Sequence, residues 1–537
     1  MKKNLKLFLF VLMINLLFSQ IVGDDNLNKI FYSLSIARNK TTFLDDYQSF
    51  VVDMAKIKGH YLSTKSPGIS FLASPIYLII ERILNNSTQI TLLKESLNYS
   101  KLSVLTLPNS LIVFSLVSIL FFSALPGALL FLLINKFTKN DYISLFLYFS
   151  SLLFPYSTTL FSYAFSIFLI LFAFTKKHKI LSPLLLGLAV FFEFTSIFLV
   201  VIVLFYLRKK IKLFYFFVGA LPSIVYIITF PSIFLYLFGL TQLFLLTPSS
   251  SLTYFSQLNT SFLTFLSNVC SNILFLLFSP YRGIFFYFPL LFLFFLYYKN
   301  LKNDLKKIAI YSFIVYLIFN SVLDFWWGSL SFGPRHMIYS VPFVLLTLSS
   351  SWRKINKKLF YLYVLVSLFI TFSSFTYWEG ARKSIKDGGI VYVTGIYKKG
   401  EIYFSNQYQL ASFSPILEHY FHSLIENGPR SKLIESLFTE RPLDLRYLLP
   451  EDRDYFISIY SYPPYLSLII LIFFFFIFFY CEIRKTRIIF YSLLILLLTM
   501  FVYDLYYFGI FDSLKTTNRT DLKFGFYPKD SSGNIFV

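Results

Sequence analysis

Two acids stand at the end of an apolar run. In IVGDDNLNK, Asp24 and Asp25 follow LKLFLFVLMINLLF almost directly. A carboxylate held just above hydrocarbon in a partly dry cleft can take a proton from an attacking hydroxyl. The same acids also fit a solvated loop start or a cap for the helix-like segment NLNKIFYSLSIA. Cationic side chains recur at comparable boundaries: His60 and Lys65 in GHYLSTKSPG, Arg282 in SPYRG and Arg335 in WWGSLSFGPRH. Singly, each fits a residue that snorkels to lipid headgroups. Together they place cations around a carboxylate, the set that transfer from a lipid-linked phosphate requires: the phosphate takes cationic donors, the acceptor needs a base, and a prenyl tail needs a greasy groove. Tyr61, Trp326 and Trp327 add aromatic faces that either anchor in the interface or stack on a sugar ring. Glu193, at the apex of an apolar hairpin, either marks the interface or belongs to the site. His419 and His422 sit three apart beside Glu418, with no third ligand at a usable spacing, so no metal or other cofactor is expected.

The elements that must position these residues belong to a membrane protein. Of 537 residues, 56% are apolar, 14% are charged and 70 are Phe, and the mean hydropathy is +0.66, which excludes a water-soluble globule. Where the apolar runs stop and the basic clusters sit predicts an all-α polytopic fold of about 13 transmembrane helices. The spans are read at 5–22, 109–134, 142–156, 159–174, 182–193, 195–207, 213–230, 284–298, 308–323, 336–349, 359–376, 464–481 and 488–508. The run LSPLLLGLAVFFEFTSIFLVVIVLFYL is split around Glu193 because TKKHK before it and RKKIK after it both belong inside.

The segments assigned inside (KKNLK, NKFTKND, TKKHK, RKKIK, KNLKNDLKK, WRKINKK and EIRKTR) hold 23 of the 48 Lys+Arg and 3 of the 27 Asp+Glu. Nearly all of the net charge of +21 is thus a topology signal rather than a nucleic-acid footprint. The sequons at Asn39, Asn85, Asn86, Asn98, Asn259 and Asn518 then fall outside. The N-terminal run also has the basic start and apolar core of a signal peptide, without an A-x-A site; either way Asp24 emerges outside. Cys270 and Cys481 are expected on opposite faces, which leaves no disulfide framework.

The organisation expected is a multi-spanning domain over 1–376 with a first outer loop at 23–108, an outer-face soluble region at 377–463, two spans within 464–508 and an outer tail at 509–537. A second outer loop, 231–283, carries apolar stretches suited to the interface. Region 377–463 reads as a small α+β unit: a hairpin in GGIVYVTGIYKKGEIYFS, and a helix in SPILEHYFHSLIENG with Pro415 at its first turn and Gly428 past its end.

The order GDD, GHYLSTKSPGISFLASPIY, ALPGALL, FPYS, GLAVFFE, SPYRGIFFYFPLL and WWGSLSFGPRHMIYSVP resembles the glycosyltransferase C superfamily. The similarity is to its prokaryotic protein O-mannosyltransferase and aminoarabinose transferase branch, over about residues 1 to 350. The resemblance implies an inverting glycosyltransferase of the plasma membrane with its active site on the outer face. It would move a sugar from a polyprenyl phosphate, dolichyl or undecaprenyl, to a hydroxyl of a protein, glycan or lipid. It places the family's acidic motif on Asp24 and Asp25, where the family often has Asp-Glu, and its Lys-Pro element on Lys65 and Pro67, with one residue inserted between them. GHYLSTKSPG would then be the phosphate-handling turn. A transporter or flippase of a lipid-linked sugar and a non-catalytic scaffold are the competing classes; the spans hold almost no ionisable residue apart from Glu193, which disfavours transport.

Overall fold

The computed structural model describes, with short gaps, residues 2–84, 104–230 and 262–375, and scattered stretches between 382 and 446. The expected spans 464–481 and 488–508, the tail, Trp327 and the segment holding His419 and His422 lie outside the described residues.

The described chain is mainly helical. In order, its first half comprises α1 (Lys2–Leu17), α2 (Gly23–Leu34), β1 (Met54–Ile57), β2 (His60–Ser63), α3 (Gly68–Leu84), α4 (Asn109–Ile119), α5 (Leu125–Thr138), α6 (Asp141–Phe149), α7 (Leu153–Tyr156), α8 (Tyr163–Lys176), α9 (Leu181–Phe192), α10 (Ile197–Leu207) and α11 (Phe214–Thr229). A π-helical turn, Leu120–Ala124, joins α4 to α5 without a break, immediately before Pro126, which has no N–H to give. The run ends where Lys139 adopts a left-handed conformation (φ 52–54° is shared by Lys40, Lys139 and Lys177), and Asn140 caps α6 by accepting from Ile143 N.

Among the described residues two helices are long and apolar enough to cross a membrane, Ser110–Thr138 with 29 residues and Leu305–Val322 with 18, and several shorter apolar helices accompany them. The split at Glu193 is present: α9 and α10 form a hairpin whose two basic ends meet, Lys212 N donating to Lys179 O at 2.9 Å. α11 packs on α9 through two glycines. A Cβ on Gly187 would lie 2.3 Å from Phe216 O, and one on Gly219 would lie 2.1 Å from Leu184 O, so only glycine lets the backbones approach this closely.

The outer segments differ in part from expectation. Within 231–283 the structure places an apolar helix, Phe262–Phe278. Asn272, midway along it, donates from Nδ2 to Ser321 O at 2.9 Å, tying it to the last turn of helix Asn303–Val322. The segment 23–108, expected as a loop, contains α3, which buries Ala73, Tyr77 and Ile80 and exposes Leu72, Ile79 and Ile83. The expected hairpin falls on an antiparallel meander, Ile390–Tyr392, Gly395–Lys398 and Glu401–Ile402, extended by Arg382–Ser384. Val104–Leu107 pairs with Leu443–Arg446, and Ser431 Oγ donates to Ser19 O, so the segments 23–108 and 377–463 meet.

Candidate functional site

One face of α2 supplies the centre of the site. Asp25 and Lys29, four apart, project together, with Lys29 Nζ 3.5 Å from Asp25 Oδ1. α2 is held in place by polar contacts along its length. Asn26 Oδ1 accepts from Leu160 N at 2.8 Å, Asn28 Oδ1 accepts from Ser63 Oγ, and Lys29 O accepts from Ser70 Oγ at 3.1 Å. The Lys29 ammonium also lies over the Phe161 ring, 5.3 Å from its centroid.

The turn between β2 and α3 delivers a second cation. Lys65 N donates to Ser63 Oγ at 3.1 Å, and Lys65 Nζ lies 3.6 Å from Asp25 Oδ1. Ser66 Oγ accepts from Phe194 N at 2.9 Å, and a Cβ on Gly68 would come within 2.7 Å of Phe191 O. The polar ten-residue stretch is therefore wedged between α2 and the tip of the α9–α10 hairpin, and Gly68 is the residue that lets it fit. The third cation comes from FGPR. Gly333 takes a left-handed conformation (φ 65°) against Tyr287, Phe332 O accepts from Tyr156 OH at 2.8 Å, and the turn aims Arg335 so that Nη1 donates to Asp25 Oδ2 at 3.2 Å.

Asp25 is 7% exposed. Burial alone would raise its pKa, but Lys29, Lys65 and Arg335 outweigh that and hold the carboxyl well below the usual carboxylate range. Burial likewise pushes the Lys29 ammonium down, opposed by Asp25 and Glu193.

The site opens into a cavity of about 460 Å³. Its polar end is lined by Asp25, Lys65, Arg335, His336, Tyr163 and Glu193; beyond them the walls are apolar, drawn from α9, α10, α11 and helix Asn303–Val322 (for example Phe198, Phe217, Ile224, Phe319). Glu193 accepts from Ser162 Oγ at 2.6 Å and from Thr195 Oγ1 at 3.0 Å. The arrangement sets charged side chains and apolar walls around one cavity, which suits an amphiphile with an anionic head.

The expected site residues divide into two groups. Asp25, Lys65 and Arg335 converge although 310 residues separate the outermost pair. Asp24 lies in α2, and its side chain is outside the described residues, as is Trp327. His60 is exposed, its Nδ1 2.7 Å from Asp45 Oδ2 and its ring stacked on Phe43; Tyr61 N donates to the same carboxylate at 2.7 Å. Neither residue lines the cavity. Arg282 is fully buried with its guanidinium 4.8 Å from the Tyr281 ring centroid, and Trp326 packs on Phe275 and Tyr281; this second cluster is also not part of the cavity lining. Of the four cations expected around the phosphate, Lys65 and Arg335 flank Asp25 and line the cavity.

Lys29, Tyr163 and His336 were not anticipated. The i, i+4 spacing of Asp25 and Lys29 was a readable signal for the first; an aromatic at a helix start and a His beside an Arg carry little signal for the others. No protein-family model, curated protein or solved structure matches the chain.

Proposed function

We propose that the chain is a multi-pass membrane glycosyltransferase that moves a sugar, with inversion at C1, from a polyprenyl phosphate to a hydroxyl acceptor on the outer face. The observation that carries this reading is a buried carboxylate, Asp25, set between Lys65 and Arg335 at a cavity whose walls are largely apolar. The motif order GDD, STKSPG, SPYRG and FGPR supports the same class. The outward apolar side chains of α11, among them Phe214, Leu221 and Ile228, together with the two long apolar helices, support embedding in the bilayer.

In the reaction, the donor phosphate binds Lys65 and Arg335 while the prenyl chain lies along the apolar wall. The acceptor oxygen attacks C1, the C1–O bond to phosphate breaks, its electron pair goes to the departing phosphate oxygen, and Asp25 takes the acceptor proton. Without ligand Asp25 is a weak base because three cations share it. A phosphate that takes over Lys65 and Arg335 leaves it with Lys29 alone and restores its basicity. The same two cations stabilise the charge that grows on the leaving group.

The test is transfer from a synthetic polyprenyl phosphate sugar by the purified protein in lipid nanodiscs, following prenyl phosphate release and glycosylated acceptor. Lys65→Ala and Arg335→Ala should each cost about 10- to 100-fold, and the pair less than their product, because both act on one group. Translocation of intact lipid-linked sugar in vesicles, with no cleavage, would replace this reading by transport.

A further inference from the structure

Tyr163 lines the cavity with Asp25, Arg335 and Glu193, and the transfer chemistry described above does not use it. It stands at the start of α8 and is 3% exposed. Its ring is clamped on three sides: Tyr156 meets it edge-on with centroids 5.4 Å apart, Tyr339 edge-on at 5.7 Å, and Phe161 stacks on it at 5.7 Å. Two of these neighbours tie it to the turn that carries Arg335. Tyr339 belongs to the short helix Arg335–Ser340, and Tyr156 OH donates to Phe332 O at 2.8 Å on the approach to it. Phenol and guanidinium are therefore mounted on one packed unit, and the charge of Arg335 acts on the phenol. Among the described residues nothing hydrogen-bonds to the Tyr163 hydroxyl, although a buried Tyr O–H ordinarily has a partner.

We propose that the Tyr163 hydroxyl is a phosphate-binding group, donating to a non-bridging oxygen of the prenyl phosphate that Arg335 also holds. The inference rests on the glycosyl-transfer reading and adds a residue to its phosphate subsite. A buried, directionally fixed O–H on the wall of a cavity, with no protein partner, is placed for a ligand atom. The mounting shared with Arg335 selects the phosphate over a sugar or acceptor hydroxyl, and a hydrogen bond to an anionic oxygen is roughly twice as strong as one to a neutral oxygen. A phenol is a neutral donor, so it grips the anion without adding another cation to the cluster around Asp25. Because the ring is already clamped, little ordering is lost when the contact forms. The contact strengthens as the leaving group gains charge, so it acts on turnover as well as on binding.

The experiment uses the full-length protein in nanodiscs as wild type, Tyr163→Phe, Arg335→Ala and the pair. It measures binding of three probes that share one prenyl chain: the monophosphate, its glycosyl phosphodiester and the uncharged prenol. Tyr163→Phe removes one oxygen and keeps the ring packing, so the unliganded variant should melt at the wild-type temperature or above. It should bind both phosphate probes about tenfold more weakly, by similar factors, bind the prenol as wild type does, and transfer with a lower kcat. In the Arg335→Ala background the same change should cost less than it does alone, because both groups act on one phosphate. Unchanged affinity for the monophosphate, a loss confined to the glycosyl phosphodiester, or a melting temperature well below wild type would overturn the proposal while leaving glycosyl transfer intact. Wild type that binds the phosphodiester and never cleaves it would overturn the transfer reading instead, with the Tyr163 contact still decided by the monophosphate.

Discussion

Replacing Asp25 with Asn should separate binding from chemistry, with the two moving in opposite directions. In the unliganded site the carboxylate holds Arg335 at 3.2 Å, Lys29 at 3.5 Å and Lys65 at 3.6 Å. A donor phosphate must draw Lys65 and Arg335 away from that anion before it gains their full contact. Asn keeps the shape and one neutral acceptor but removes the competing charge. The charge-assisted part of a buried hydrogen bond is worth about 1–2 kcal/mol beyond a neutral one, and the wild-type donor already recovers some of what it displaces. A net gain of about that size makes donor binding by Asp25→Asn roughly 5- to 30-fold tighter. Turnover should meanwhile fall by about 10²-fold or more, because no group remains to take the acceptor proton.

The assay is titration calorimetry with a non-transferable donor analogue, alongside single-turnover transfer on the same preparations. Weaker donor binding by Asp25→Asn would mean that the carboxylate serves to hold the cations in place for the phosphate, and the exchange described above would be wrong. Near-normal transfer would remove Asp25 as the base, leaving Asp24 or a non-enzymatic role to be considered.

Stability should depend on pH through the same residue. A carboxyl held below its ordinary value contributes stability that is complete above about pH 4, near the unfolded value, and lost as pH falls through the folded value. The excess melting temperature of wild type over Asp25→Asn, measured by scanning fluorimetry, should thus be level from pH 7 to about 5 and shrink below 4; a constant difference down to pH 3 would contradict the ion cluster. Gly68→Val should push against Phe191 O, destabilise the protein by about 1–3 kcal/mol and cut transfer by displacing Lys65, whereas wild-type melting and activity would argue against the wedge. Lys40→Cys, at an exposed position of the segment expected outside, should react with an impermeant maleimide in intact cells while Lys209→Cys stays protected; the reverse pattern would invert the topology.

Much of the site was legible because charge is costly near hydrocarbon, so Asp25, Lys65 and Arg335 stand out against an apolar background. Their convergence was not legible, since nothing local in STKSPG or FGPR says what lies across the fold. Boundary position also misled in the other direction. Arg282 and Trp326 sit at the same kind of boundary as Arg335, yet a side chain's direction depends on the turn that carries it, and Gly333 aims Arg335 at the cavity while SPYRG folds Arg282 onto Tyr281. The hairpin at Glu193 could be read because two basic clusters had to return to one face, and Lys179 and Lys212 do meet.

The α9–α10 hairpin is also short. Twelve residues in α9 rise about 18 Å, against a hydrocarbon core of about 30 Å. If the chain is embedded as proposed, with the basic base of the hairpin at the inner boundary, its tip at Glu193 stops short of the outer boundary and the chamber is recessed rather than perched in water. On the proposed embedding, a prenyl phosphate released there leaves sideways into the leaflet without passing through the aqueous phase. The quantity that governs product inhibition is then its mole fraction in that leaflet, a two-dimensional concentration set by how fast the cell recycles the carrier.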